Sequence, residues 1–164
     1  MCAKANLTTK PYNRIEDVVF NELLKLPSSY VVLRNIFLRL PYRVTHTLSS
    51  ELVKACQIDF MVIGPPGVFV IEAKEWDKRS YRTLIPYKEV DKAGLIVYIK
   101  LKNWDGKQHA VFNILVTTKS RSDLPYGRVL EQNVWDLSAF IFGKESYLSK
   151  SEIKHMKRLF VKHR

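Results

Sequence analysis

Residues 57–76 read QIDFMVIGPPGVFVIEAKEW, and they decide the fold because two β-rich apolar runs flank a Gly-Pro-Pro-Gly turn. A strand cannot continue through these four residues, so the runs are predicted to pair as an antiparallel hairpin with Pro65 and Pro66 at its tip. In that register Asp59 lies directly opposite Glu72. Side chains alternate along a strand, so Lys74 points to the same face as Glu72. The sequence therefore predicts two carboxylates and an ammonium on one patch of an apolar hairpin.

This patch suggests a metal site. Opposed like charges destabilise a sheet unless a cation compensates them, and Mg²⁺ binds through one or two carboxylates together with substrate phosphates. A metal held by Asp59 and Glu72 would polarise a phosphodiester and activate water, while Lys74 stabilises charge on the attacking or transferring oxygens. The alternative is a salt bridge of Lys74 with Glu72 or Glu75 on an exposed strand. Charges inside a strand that is apolar on both faces favour the metal site.

Composition and charge narrow the class of protein. The 164 residues predict a single domain, with a loose leader over 1–12, a core over 13–142 and a basic C-terminal helix over 149–162. Two cysteines without metal spacing predict a reducing interior, and the absence of a spanning apolar run or signal peptide predicts a cytoplasmic protein without membrane association. The net charge of +11 favours a polyanionic partner, nucleic acid before an anionic membrane surface.

The first half of the chain predicts a helix and a strand before the hairpin. The helix begins at Asn13, a favourable N-cap, and Glu16 follows three residues later as in a capping box. Its core stripe comprises Ile15, Val18, Val19, Leu23 and Leu26. A strand over residues 30–40 ends at Pro41, and residues 41–53 are predicted to be irregular, with His46 as an exposed loop histidine.

The second half predicts another hairpin and two helices. Asp105-Gly106 is a strong two-residue turn signal that places Leu95 opposite Val116, and His109 falls on the polar face of that hairpin. A helix is predicted over residues 128–142, with Leu130, Val134, Leu137 and Ile141 as its stripe and Gln132 on an adjacent face. A final helix opens with the capping box of residues 149–152 and packs through Ile153, Met156 and Phe160. The predicted class is α/β, a mixed central sheet flanked by helices in the order αβββ, then a hairpin and C-terminal helices.

Basic side chains in three regions are candidates for phosphate contacts. They follow the first hairpin, occupy the loop at 119–127 and cover the outside of the last helix. The alternative for each group is a solvated face without a partner. These candidates are Lys78, Arg79, Arg82, Lys119, Arg121, Lys154, Lys157, Arg158 and Lys162.

The motifs resemble a known family. Glu16 in a helix, Gln57-Ile58-Asp59, the Glu-Ala-Lys of 72–74 followed by Trp76, and Gln132-Asn133 are similar to the nuclease-related domain of the PD-(D/E)xK nuclease superfamily. The resemblance implies a restriction-endonuclease-like core. It also implies that Asp59, Glu72 and the carbonyl of Ala73 bind Mg²⁺, with Mn²⁺ as a substitute, that Lys74 is catalytic, and that Glu16 and Gln132 assist. A purely structural capping role for Glu16 stays open.

Three functions follow as hypotheses. The first is a metal-dependent deoxyribonuclease, favoured because Asp59, Glu72 and Lys74 are all present. The second is a DNA-binding protein that uses a nuclease fold without cutting, such as one of a plasmid or virus. The third is a basic interaction protein in which the hairpin serves only as core. The sequence leaves the oligomeric state open, a homodimer included.

Overall fold

The part of the chain that the structure describes is built around a five-stranded mixed sheet with helices on both faces. A computed structural model describes residues 14–75, 83–118 and 126–161. The sheet order follows the chain, β1-β2-β3-β4-β5; β1, β2 and β3 are antiparallel, while β3, β4 and β5 are parallel. The predicted class, a mixed sheet flanked by helices, is confirmed.

The elements have the following bounds. The strands are β1 (Val31–His46), β2 (Glu51–Gly64), β3 (Gly67–Ala73), β4 (Val111–Thr117) and β5 (Leu130–Asn133). The helices are α1 (Arg14–Leu23), α2 (Ile85–Asp105), α3 (Leu137–Phe142) and α4 (Lys150–Val161), and a 3-10 turn, Val134–Asp136, joins β5 to α3. Among the helices of the described residues, none has the length and apolar character needed to cross a membrane.

The first hairpin has the predicted register. Phe60 pairs with Ile71, and Gly64 pairs with Gly67, so Pro65 and Pro66 form the tip. The β2–β3 ladder ends at the Phe60–Ile71 pair. Asp59 and Glu72 therefore occupy the next positions beyond the paired residues, at the end of the hairpin away from its turn.

The sheet separates two hydrophobic layers. One layer packs α2 and α4 against one face and includes Met61, Val70, Val97 and Phe160. The other packs α1, the 3-10 turn and α3 against the opposite face. Its buried residues include Val19, Phe60, Ile71, Val116 and Leu137.

β1 is longer than predicted. Proline lacks an N–H, yet Pro41 lies inside β1, where the pairing with β2 shifts between Arg39 and Val44 and needs no ladder bond from it. The predicted irregular segment at 41–53 is thus wrong. The prediction of an exposed His46 is also wrong, because the side chain is buried between Asp91 and Ser49.

The predicted second hairpin is wrong. Residues 85–105 form α2, and Gly106 ends this helix in the left-handed region at φ 73°, with its N–H bonded to the carbonyl of Lys102 at 2.8 Å. The Asp-Gly signal marks a position that needs positive φ, which helix C-caps and hairpin turns share. His109 is not on a solvated face either; its ring is mostly buried and contacts Asp105 at 2.6 Å.

The predicted helix over 128–142 is only partly formed. Residues 130–133 pair with β4 in parallel, so Gln132 lies on a strand, and only Leu137–Phe142 is α-helical. The apolar stripe still packs, since Val134, Leu137 and Ile141 are buried, but Leu130 is exposed. Completing the sheet beside β4 outweighs the helical pattern there.

The C-terminal helix is confirmed with its capping box. Ser149 N–H donates to Glu152 Oε1 at 3.1 Å, and Glu152 N–H donates to Ser149 Oγ at 3.2 Å. Ile153, Met156 and Phe160 are buried as predicted, and Lys154, Lys157 and Arg158 are exposed. The other candidate phosphate contacts and the Asn13 cap lie outside the described residues. They are Lys78, Arg79, Arg82, Lys119, Arg121 and Lys162.

Candidate active site at the open end of the hairpin

An irregularity in two strands positions Asp59. β1 and β2 pair regularly on either side of Asn35 and Asp59, but these two residues are skipped, and Asn35 has a positive φ of 50°. The alternation of faces shifts at this point: Ile58 and Met61 pack in the α2 layer, whereas Phe60 packs in the α1 layer. At Asp59 the side chains of β2 therefore do not follow the regular alternation between the two faces of the sheet.

The carboxylate of Asp59 is held by the backbone of the neighbouring strand. Its Oδ2 accepts a hydrogen bond from Ala73 N–H at 3.0 Å. This bond replaces a ladder bond at the point where the β2–β3 pairing has ended, and it satisfies a donor that is mostly buried. Asp59 is thus fixed beside the main chain that follows Glu72.

Glu72 lies against Asp59, and their carboxyl groups hydrogen-bond to each other. Burial first, and then the charge of Asp59 and this hydrogen bond, raise the pKa of Glu72 from 4.5 to about 8. The charges of Glu89 and Glu16 contribute in the same direction. The pair therefore resists carrying two negative charges unless a cation joins it.

Lys74 follows β3 directly. Its backbone N–H donates to the carbonyl of Val116 at 2.9 Å, which extends the parallel β3–β4 ladder by one residue. The side chain is exposed, unlike the buried Ala73 before it. By alternation it leaves the strand on the same side as Glu72, so the ammonium belongs to the open edge of the site.

The two accessory candidates are placed differently. Glu16 is on the first turn of α1, and its charge is the smallest of the contributions that raise the pKa of Glu72. Gln132 pairs with Val116, which in turn pairs with Ala73. Residues in such a row point to one face, so Gln132 faces the α1 layer with Val116, whereas Glu72 faces the α2 side. Gln132 and Glu72 therefore point to opposite faces of the sheet, and Glu16 contributes to the raised pKa of Glu72 through its charge.

Arg34 is a charged residue near the site that the sequence did not indicate. Arg34 pairs with Phe60, next to Asp59, and its guanidinium lies 4.2 Å from the ring centre of Phe20 and 3.7 Å from Asp17. An isolated Arg in a strand gives no sequence signal for such a location.

Glu131 is another charged residue that the sequence did not indicate. It pairs with Leu115, the neighbour of Glu72 on the α2 side, and accepts a hydrogen bond from Tyr87. The sequence did not indicate Glu131 because residues 128–142 were predicted to be a helix. Only a strand there aligns Glu131 with Leu115 and Glu72 across the sheet.

The donor set at the hairpin end fits Mg²⁺ better than a soft metal. Two adjacent carboxyl groups are hard oxygen ligands, and Mg²⁺ uses one or two such ligands beside water and phosphate. Within the described ranges there is no group of three His, Cys, Asp or Glu side chains arranged as a complete metal cage. The fit therefore relies on substrate and water to complete the coordination.

A separate cavity lies away from these residues. It has a volume of about 1050 Å³ and is lined mainly by the end of β1, the middle of α2 and the start of β4. At its wall His46 contacts Asp91 at 2.5 Å and Ser49 at 2.6 Å. Neither Asp59 nor Glu72 lines it.

One solved structure and one family model relate this chain to known proteins. The small subunit of a heterodimeric restriction endonuclease, of known crystal structure, is similar to this chain with 16% sequence identity and a TM-score of 0.38, over 90% of this chain and 79% of the other. No curated protein matches the sequence. Residues 13–89 match the nuclease-related domain, and this range contains Glu16, Asp59, Glu72 and Lys74. The resemblance of this chain to the nuclease-related domain family is thereby confirmed over those residues.

Proposed function

We propose that the protein is a Mg²⁺-dependent deoxyribonuclease that hydrolyses phosphodiester bonds at the open end of the β2–β3 hairpin. The observation that carries the proposal is the contact between the carboxyl groups of Asp59 and Glu72, beside the Ala73 N–H that orients Asp59. A buried like-charge pair costs stability, so a site that keeps it needs a function for it. The match to the nuclease-related domain over residues 13–89 supports the same class of reaction.

Each residue has a role in this proposal. Asp59, Glu72 and the carbonyl of Ala73 would hold the metal, which supplies Lewis-acid polarisation of the phosphodiester and activation of water. The Lys74 ammonium stabilises negative charge on the attacking or transferring oxygens, because it is exposed at the edge where a phosphate can approach. Glu16 adds negative charge near the pair and thereby favours cation binding. Gln132 faces the α1 layer, so we assign it no part in holding the metal.

DNA is the proposed substrate because the protein has an excess of positive charge. Lysine and arginine total 27 against 16 aspartate and glutamate residues. The exposed Lys154, Lys157 and Arg158 of α4 offer one surface for backbone phosphates. Such contacts position a polyanion without reading its sequence.

The test is cleavage of supercoiled plasmid by purified protein in Mg²⁺, Mn²⁺ or EDTA. Wild type should nick the plasmid with either metal and not in EDTA. Asp59→Asn and Glu72→Gln keep the size of the side chains and should each reduce cleavage by at least about 100-fold, as expected for loss of electrostatic stabilisation worth about 3 kcal/mol. DNA binding in EDTA should survive both substitutions.

The matched control is Glu51→Gln. Glu51 is also a carboxylate on β2, but it is the first residue of the strand and forms ion pairs with Lys88 and Lys92. Its replacement should leave cleavage within about twofold of wild type. Cleavage that persists in EDTA or in both site variants would refute the proposed site. DNA binding with no cleavage under any metal would instead support a non-catalytic DNA-binding protein on this fold.

A further inference from the structure

Trp135 is a large aromatic side chain that the fold holds out toward solvent. It is 64% exposed, although Val134 before it and Leu137 after it are completely buried. Its backbone N–H donates to Asn133 Oδ1 at 3.0 Å, which caps the 3-10 turn. The turn is therefore anchored on both sides, and the exposed ring projects from a defined position.

This position is at the same edge of the sheet as the carboxylate pair. Ala73 pairs with Val116, and Val116 pairs with Gln132, so a single row of backbone crosses β3, β4 and β5. Neighbouring strands lie about 4.8 Å apart, which puts Gln132 about 10 Å from Ala73. Trp135 follows three residues later, beyond the carboxyl end of β5. A strand of nucleic acid with its phosphate at Asp59 and Glu72 would thus pass within a few nucleotides of the indole.

The indole ring of Trp135 is suited to stacking against an unpaired nucleobase. Every nucleobase has a π-face that stacks on an aromatic side chain, so this contact is tolerant of sequence. Bases within a duplex already stack on each other and do not present that face, whereas unpaired bases do. The surplus of positive charge accounts for attraction to the phosphates but not for a preference between single and double strands.

We infer that Trp135 forms a nucleobase-stacking subsite beside the cleavage site, and that the protein prefers DNA with unpaired nucleotides next to the scissile phosphate. This inference rests on the proposed function for its location, but the stacking itself requires no metal. Removal of a stacked aromatic weakens single-strand binding by about 5- to 150-fold.

The first measurement is fluorescence titration of the full chain in EDTA with a short single-stranded oligodeoxynucleotide and with its duplex. Stacking should quench wild-type fluorescence with the single strand more than with the duplex. The titration uses a Trp76→Phe background, which leaves Trp104 and Trp135 as the tryptophans of the chain. In that background Trp135→Phe should lose this quenching. The matched control is Trp104→Phe, which removes an indole that is 40% exposed on α2 and should leave the quenching intact. Quenching that persists in Trp135→Phe would overturn the inference.

The second measurement is affinity and cleavage with Trp135→Leu. Single-strand affinity should fall by about 5- to 150-fold, duplex affinity by less than about twofold, and the ratio of kcat/KM for single strand over duplex should fall in parallel. The thermal midpoint should stay near the wild-type value, since the side chain is mostly exposed. An unchanged single-strand affinity would refute the subsite even if the protein cleaves DNA. Trp135-dependent binding without cleavage would keep the subsite and refute the nuclease.

Discussion

Replacing Glu72 with glutamine should remove a pH-dependent loss of stability from the metal-free protein. Burial and the charge of Asp59 raise the pKa of Glu72 from 4.5 to about 8 in the folded state. Between these values the folded protein keeps a proton that the unfolded chain has lost. The free energy of unfolding therefore falls as the pH rises, by up to 1.36 kcal/mol per pH unit. From about pH 5 to about pH 7.5 the loss amounts to roughly 3 kcal/mol.

Glutamine imitates the protonated form of Glu72, since it can donate to Asp59 and carries no charge. The assay is urea denaturation in EDTA across this pH range for wild type, Glu72→Gln and the control Glu51→Gln. The difference in unfolding free energy between Glu72→Gln and wild type should shift in favour of the variant by about 3 kcal/mol between about pH 5 and pH 7.5. Hydrogen bonds to Lys92 and Lys88 lower the pKa of Glu51 to about 2. The unfolding free energy of Glu51→Gln should therefore change with pH in parallel with that of wild type over this range.

Magnesium should remove the difference in unfolding free energy between wild type and Glu72→Gln at neutral pH. Metal binding requires the deprotonated carboxylate, so excess Mg²⁺ should stabilise wild type near pH 7.5 and leave Glu72→Gln almost unchanged. If the stability curves of wild type and Glu72→Gln stay parallel throughout the pH range, Glu72 does not carry a displaced pKa. The Asp59–Glu72 pair would then have no electrostatic need for a cation.

Three further predictions concern the chemical step, the basic helix and the helix–sheet contact. Lys74→Met should lower the cleavage rate at saturating DNA more than it lowers affinity, and a defect confined to affinity would make Lys74 a phosphate anchor instead. Substituting glutamine for the three exposed cations of α4 should flatten the dependence of log K on log salt by about 0.9 for each lost duplex contact, whereas an unchanged slope would indicate a solvated face. Gly94→Ala would place a Cβ 1.8 Å from Asn113 Oδ1, so urea denaturation should show a loss of about 1–3 kcal/mol, and an unaltered midpoint would mean that Asn113 moves aside freely. The three α4 cations are Lys154, Lys157 and Arg158.

The hairpin could be predicted from the sequence because its information is local. A Gly-Pro-Pro-Gly turn fixes where the chain reverses, and the reversal fixes which residues face each other. The turn therefore predicts that Phe60 pairs with Ile71. The same register places Asp59 next to Glu72. The same holds for α4, whose start is determined by side-chain bonds within four residues.

The second hairpin failed because residues 95–101 satisfy two periodicities at once. Leu95, Val97 and Leu101 alternate as in a strand, but Val97 and Leu101 also follow Val90 and Ala93 at helical spacing, and these four are buried together. The deciding factor is non-local: β4 runs parallel to β3, and a parallel pair needs a crossover, which α2 supplies. The strand β5 was missed for the same reason. Residues 130–133 are a strand because they pair with β4, and this non-local pairing is not visible in the local sequence.

The location of both carboxylates on one hairpin has a consequence for the order of folding. Asp59 and Glu72 approach when β2 and β3 pair, and this step precedes any need for the distant strands β4 and β5. If the hairpin belongs to the folding nucleus, the repulsion is already present in the transition state. Raising the pH should then slow refolding and leave the unfolding limb of the chevron nearly unchanged, and Mg²⁺ should speed refolding. A metal site formed within a hairpin would thus act as a folding switch as well as a reaction centre.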